Sequence, residues 1–177
     1  GCCMFTSRER YLREDEMKMI RDPLYGDIFV SYNDVRLIDT KVIQRLRGVS
    51  QLGALQWIYP GASHSRFEHS IGVLHLATAI AKQLMPDDEY KGIRDLLSAA
   101  CLFHDSGHAP FSHTFEEYEL DLKPHEKWSC EFARKTIEEM NDMKISGVEV
   151  RDIIAGRKDY LSDIISGTLD ADRLDYL

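Results

Sequence analysis

An apolar helix that runs straight into a row of histidines constrains this chain more than any other feature of its sequence. Leu96, Leu97, Ala100 and Phe103 have the spacing of a core helix, and His104, Asp105, His108 and His113 follow within the next ten residues. Three imidazoles and a carboxylate set against a core are costly unless something neutralises them, and a divalent cation does so. Neighbouring residues diverge by about 100° around a regular helix, so His104 and Asp105 can share one ion only where a helix ends. Gly107 and Pro110 are the expected terminators just past the pair. The other reading, a set of surface histidines at a helix end, fits poorly with the core character of what precedes them.

Two further segments complete a ligand set. From Arg66 to Ala77 the sequence reads as the start of an amphipathic helix, with His69, Val73, Leu76 and Ile80 on one inward stripe. Near the C-terminus, Asp170, Asp172 and Asp175 crowd three carboxylates into six positions among apolar residues, and one of them is expected to point inward, where a cation makes burial tolerable. His69, His104, Asp105 and Asp172 would supply two nitrogen and two oxygen ligands and leave room for water and substrate oxygens. Imidazole ligands favour iron, manganese, zinc or nickel; magnesium prefers an all-oxygen shell and would sit alongside substrate phosphates.

Charge narrows the ligand. The formal net charge is -8, which argues against a nucleic acid as main ligand, since tracking phosphates along a polymer needs a basic face. Arg45, Arg47, Arg66 and Arg173 nevertheless sit inside the motif segments, and a bound cation adds to their field, so a small polyphosphate suits the site better than a polymer. No apolar run approaches the roughly 20 residues of a membrane span, so no membrane partner is expected. The four cysteines are Cys2, Cys3, Cys101 and Cys130. They form no disulfide framework, which points to a reducing compartment, the cytoplasm or the nucleus of a eukaryote.

The 177 residues suit one domain, expected over 18–177 behind an N-terminal arm at 1–17. Tyr11 to Met19 reads as a polar helix or arm, Pro23 to Asp27 as a turn, and Ile28 to Tyr32 as a short edge strand. Helices are expected at about 39–50, 67–84, 93–103, 112–120, 125–140 and 148–154, and from Asp159 onward. The helical pattern is still running at Leu177, so the domain is expected to continue past it. The fold class is therefore all-α, with at most a short β-hairpin or edge strand near the N-terminus.

The order His69, then His104-Asp105, then Asp172 resembles the HD-domain metal phosphohydrolases. The stretches from Pro60 to Ser70, from His104 to His113 and from Asp170 to Tyr176 are similar to the deoxynucleoside triphosphate triphosphohydrolase branch of that family. The resemblance runs from about Lys18 to Leu177 and implies an HD-type helical bundle. In the family, water attacks the α-phosphorus and releases a deoxynucleoside and intact triphosphate. By resemblance His113 would be the general acid, with Glu116 orienting it, and His108 and His125 would lie around the phosphates. Arg66 would grip the α-phosphate, Arg173 the outer phosphates, Tyr176 the sugar, and Gln51 and Leu52 the deoxyribose edge. Lys18, Asp39, Gln44 and Arg47 match positions that bind an activating guanine nucleotide in regulated members, which would make the chain a GTP- or dNTP-assembled homo-oligomer. Asp39-Thr40 reads equally well as a helix cap. The same ligands would also serve another HD phosphohydrolase, such as a nucleotide phosphatase or phosphodiesterase, or a catalytically silent nucleotide sensor. His75 and His64 are read as packing and structural residues.

Overall fold

The computed structural model describes residues 17–53, 57–59, 63–109, 125–157, 159–167 and 171–176. The chain enters as a β-hairpin. Strand β1 (Lys18–Asp22) pairs antiparallel with β2 (Gly26–Val30), in a register that sets Lys18 opposite Val30 and Asp22 opposite Gly26. The turn is local chemistry. Asp22 Oδ1 accepts from the Leu24 and Tyr25 amides at 2.8 and 3.0 Å, and Gly26 takes a φ of 76°, where a side chain would be strained. Ile28 and Val30 point into the core while Phe29 points out, the alternation of a half-buried strand. This corrects two expectations: residues 18–19 are strand and not helix or arm, and the second strand closes at Val30. Ser31 then caps helix α1 (Tyr32–Ile38) through a reciprocal capping box with Asp34, so Tyr32 opens a helix instead of ending a strand.

The single helix expected over 39–50 is two short pieces, α2 (Lys41–Gln44) and a 3-10 turn (Arg45–Gly48). Asp39 closes α1 and does not cap α2, whose N-cap is Thr40. Helix α3 (Arg66–Leu84) begins at a second capping box, between Ser65 and Glu68. It is not the amphipathic helix its stripe predicts. Arg66, Phe67, His69, Ser70, Ile71, Gly72, Val73 and Leu74 are all buried, so in its first half only Glu68 is exposed. Helix α4 (Asp87–Phe103) starts six residues before the expected Ile93. Pro86 precedes it, and Asp87, Asp88 and Glu89 favour its positive N-terminal end. Every residue from Leu96 to Phe103 is buried, as the sequence requires.

Helix α5 (His125–Glu139), α6 (Gly147–Ile154), α7 (Asp159–Ser166) and α8 (Ala171–Tyr176) complete the described elements. α3 packs along α4 and receives α8 on another side, while α5 packs on α6 and α4. One continuous core, including Leu37, Leu46, Ile71, Leu97, Leu102, Phe103, Ile153 and Leu161, joins them. The helix expected at 112–120 and the arm before Met17 lie outside the described residues. Among the described residues no helix is long and apolar enough to cross a membrane.

Candidate metal centre where helix α4 ends

The end of α4 meets the start of α3 and the first turn of α8. Phe103 is the last residue of α4 and His104 its C-cap, so Asp105 stands on the turn that follows and the two side chains converge, as adjacent residues can only there. Gly107 has a reason different from the expected one. Its φ is not among the positive glycine values; instead a Cβ there would lie 2.0 Å from the His125 carbonyl oxygen and 2.6 Å from the Ser129 amide nitrogen. Glycine lets the first turn of α5 close on the His104 turn, and the Gly107 amide donates to Ser129 Oγ at 2.8 Å. Pro110 lies outside the described residues.

The two imidazoles are held by their outer nitrogens. His104 Nδ1 lies 2.7 Å from the Cys101 carbonyl oxygen, which can only accept, so Nδ1 carries the proton. His69 Nδ1 lies 2.7 Å from Asp175 Oδ2, and a carboxylate imposes the same choice. Both Nε2 atoms then face inward, and both are buried with no hydrogen-bond partner. Asp172 Oδ1 comes within 2.9 Å of His69 Nε2 without an aligned hydrogen bond, and within 3.9 Å of His104 Nε2. One ligand atom from each of His69, His104 and Asp172 lies within 4.8 Å of the others. Asp105 borders the same space, with Oδ2 3.8 Å from His69 Nε2 and Oδ1 3.8 Å from His104 Nε2. Buried lone pairs aimed at one point beside two carboxylates are the donor set a borderline transition metal takes. The residues therefore fit such an ion.

Electrostatics keep the carboxylates charged. Burial opposes the charge on Asp105, but His104, the His108 hydrogen bond and Arg66 outweigh it and hold the carboxyl well below the usual range. Burial also opposes charge on Asp172, and contact with His69 and His104 again wins and lowers it. On His69 burial disfavours a proton, yet Asp172 and Asp175 raise its pKa to about 9. Without an ion, His69 Nε2 therefore holds a proton against Asp172, and a bound cation would displace that proton.

Around this centre the structure places several of the remaining site residues. His108 is buried, with Nε2 3.4 Å from Asp105 Oδ1, and its ring stacks on His125 with centroids 3.9 Å apart. Burial pushes the His108 pKa down. Arg66, at 3% exposure, sets NH1 2.5 Å from Asp105 Oδ2. Resemblance assigns Arg66 to a phosphate; the structure places it on the Asp105 carboxylate. Gln51 and Leu52 lie on a segment pinned to α3 by the Ser50–Ser65 bridge and by the Gln51 amide on the His64 carbonyl, and Gln51 Oε1 is buried without a partner. His113 and Glu116 lie outside the described residues. Arg173 and Tyr176 fall on α8, whose Asp172 faces the centre.

Two residues at the site were missed. Asp175 was grouped with its neighbours and given no role. Its distance of three residues from Asp172, one helical turn, was the available signal. Arg45 donates through NH1 to the His108 carbonyl at 2.8 Å and through NH2 to the Ser106 carbonyl, tying the 3-10 turn to the turn that carries His108. Nothing in its own sequence neighbourhood could have indicated that.

The second group of candidates gathers elsewhere. Lys18, Asp39 and Arg47 line one pocket of about 590 Å³ together with Arg21, Glu68 and Phe67. Arg47 lies over the Phe67 ring at 3.6 Å, and its Nε donates to Gln44 Oε1 at 2.9 Å while Gln44 Nε2 donates to the Ile38 carbonyl. Gln44 thus positions Arg47 and is not itself part of the pocket wall.

Fold and site define an α-helical domain built around a His/Asp cluster that could hold a metal ion. The HD domain family matches residues 66–177, and the chain belongs to that family. It is 40% identical over 161 residues to the uncharacterized protein MJ1154 of Methanocaldococcus jannaschii, covering 91% of this chain and 33% of that one. It is 45% identical over 132 residues to human deoxynucleoside triphosphate triphosphohydrolase SAMHD1, covering 72% of this chain and 21% of the relative. The chain thus spans a third or less of these curated relatives. A crystal structure of a phosphohydrolase from Bacteroides thetaiotaomicron superposes with a TM-score of 0.75 at 33% identity, covering 92% of this chain and 41% of that one.

Proposed function

We propose that the chain carries the catalytic centre of a metal-dependent phosphohydrolase that cleaves deoxynucleoside triphosphates to deoxynucleoside and triphosphate. The observation that carries this reading is the pair of buried, unpartnered Nε2 atoms of His69 and His104 facing Asp172, with Asp105 alongside. These four residues would hold a transition metal, which when bound lowers the pKa of water and offsets charge on a phosphoryl group.

The rest of the chemistry falls to the protein. His108 and His125 form a stacked pair beside Asp105, suited to hydrogen-bond phosphate oxygens from a rigid base. His113 would protonate the leaving oxygen, with Glu116 one turn on to orient it, a role that rests on resemblance. Arg66 would donate to a phosphate oxygen from the buried wall that it shares with Asp105. Arg173 and Tyr176, on the helix that brings Asp172, are the candidates for outer phosphates and sugar. Gln51 Oε1, buried and unpartnered, suits a sugar hydroxyl, with Leu52 beside it on the deoxyribose edge. The relatives named as triphosphohydrolases support the substrate class. Product analysis with dGTP and added manganese tests it: deoxyguanosine plus triphosphate is expected. Release of orthophosphate would make the chain a phosphatase, and no turnover in a metal-loaded protein would make it a sensor.

The pocket between hairpin and 3-10 turn supports a second, regulatory reading. Lys18, Asp39 and Arg47 converge there, and Asp39 is not spent on capping α2. Cations for phosphates, a carboxylate for a guanine edge and a Phe67 face under Arg47 suit a guanine nucleotide. GTP is then expected to raise hydrolysis of another dNTP and to shift the chain to a larger homo-oligomer in sedimentation.

A further inference from the structure

Asp175 is the acid that the metal reading leaves over. Its side chain is 9% exposed, and its Oδ2 accepts from His69 Nδ1 at 2.7 Å. That contact decides which nitrogen of His69 keeps its proton when a metal binds, because a carboxylate can only accept. The nitrogen left for the metal is Nε2, the buried atom that faces His104 Nε2 and Asp172.

Two more residues are shaped around the same carboxylate. Gly72 lies one turn after His69 inside α3, where glycine costs roughly 0.5–1 kcal/mol relative to alanine. Its backbone is helical, so φ does not demand glycine. Space does: a Cβ there would sit 1.8 Å from Asp175 Oδ1 and 2.6 Å from its Cγ. Tyr25, on the hairpin turn, sets its hydroxyl beside the Asp175 carboxylate. Burial first, and then that carboxylate, push the Tyr25 pKa up, so the hydroxyl stays protonated. Its ring also lies 5.2 Å from that of His75, further along α3.

We propose that Asp175 is the positioning residue of the metal centre: it fixes the orientation and tautomer of His69, Gly72 supplies its seat and Tyr25 sets a hydroxyl beside it. The proposal rests on the metal reading above. Such outer carboxylates set imidazole orientation and basicity, and their loss typically costs 10- to 100-fold in metal affinity.

The test is Co2+ affinity, by competition against a chelator, in the wild-type chain, Asp175→Asn, Gly72→Ala, the double variant and Tyr25→Phe. Asp175→Asn and Gly72→Ala are each expected to weaken Co2+ about 10- to 100-fold and to shift its visible absorption in the same direction. The Gly72→Ala chain keeps the carboxylate but pushes it off His69, so the double variant is expected to lose no more than the worse single. Tyr25→Phe, which leaves Asp175 and His69 in place, is expected to lose less than either, and it decides the matter if the inner variants do not fold. Wild-type affinity in Asp175→Asn, Gly72→Ala or Tyr25→Phe, or losses that multiply in the double variant, would overturn the proposal. A chain that binds Co2+ with these differences but hydrolyses no nucleotide would end the phosphohydrolase reading and leave this one standing.

Discussion

The metal centre and the pocket beside the hairpin share the first turns of α3, Arg66 and His69 facing one, Phe67, Glu68 and Ile71 the other, yet their polar groups are held in different ways. In the centre three of the four candidate ligands are held by a neighbour: His104 by the Cys101 carbonyl, His69 by Asp175, Asp105 by Arg66. What remains unsatisfied is the inner atom, so an ion enters with little rearrangement. In the pocket, Arg47 is braced by Gln44 and Phe67, while Lys18 and Asp39, the other two candidates there, are exposed. A ligand there must order long side chains at about 0.5–1.5 kcal/mol each. A preformed centre suits tight, permanent binding, and a loose pocket suits a ligand that comes and goes.

The largest effects should come from breaking the centre. His104→Ala or Asp105→Ala is expected to reduce a metal content near one per chain to background in elemental analysis, and turnover with it. Asp105→Ala should also lower stability by roughly 3–5 kcal/mol in denaturant titration, because it strands the buried Arg66 charge. Retention of full metal in both variants would remove the centre as assigned. Next, His113→Ala should keep the metal and lower turnover by about 10²- to 10⁴-fold; loss of metal instead would make His113 a ligand. Cutting the link between the two regions is expected to do less. Arg45→Met removes two charged hydrogen bonds, worth about 1.5–3 kcal/mol each at most, and should lower the melting midpoint and loosen His108, read as a raised KM with metal content intact. The smallest change belongs to the pocket: Asp39→Ala should abolish stimulation by GTP and leave metal content alone. An unstimulated wild type would reduce the pocket to a surface feature.

How much of this was legible in the sequence follows the same division. His69 and the His104-Asp105 pair stand out because imidazoles and carboxylates beside apolar runs need a chemical reason, and the helix-end argument needed only the apolar run and the pair that follows. Asp175 did not stand out, since three acids in six positions have equal claims until α8 docks on α3. Gly72 was invisible for the same reason, its neighbour being 103 positions away in Asp175. Strand β1 was missed because Lys18–Asp22 is mostly exposed and polar, and only its partner strand shows inward alternation. The start of α4 was missed because its first two turns carry charge and little apolar signal. The stripe on α3 failed in the opposite sense: a helix exposed at only one position of its first half has no single buried face to reveal.

The 3-10 turn carries one guanidinium to each side. Arg45 reaches inward to the carbonyls of Ser106 and His108, and Arg47, two residues on, lies outward over Phe67. With three residues per turn, side chains two apart leave such a turn in well-separated directions from one short stretch of backbone. If the proposed pocket seats an anion on Arg47, that anion leans on the backbone that also carries Arg45 to His108, and by thermodynamic reciprocity any change it works on His108 would be returned to its own binding by the same factor.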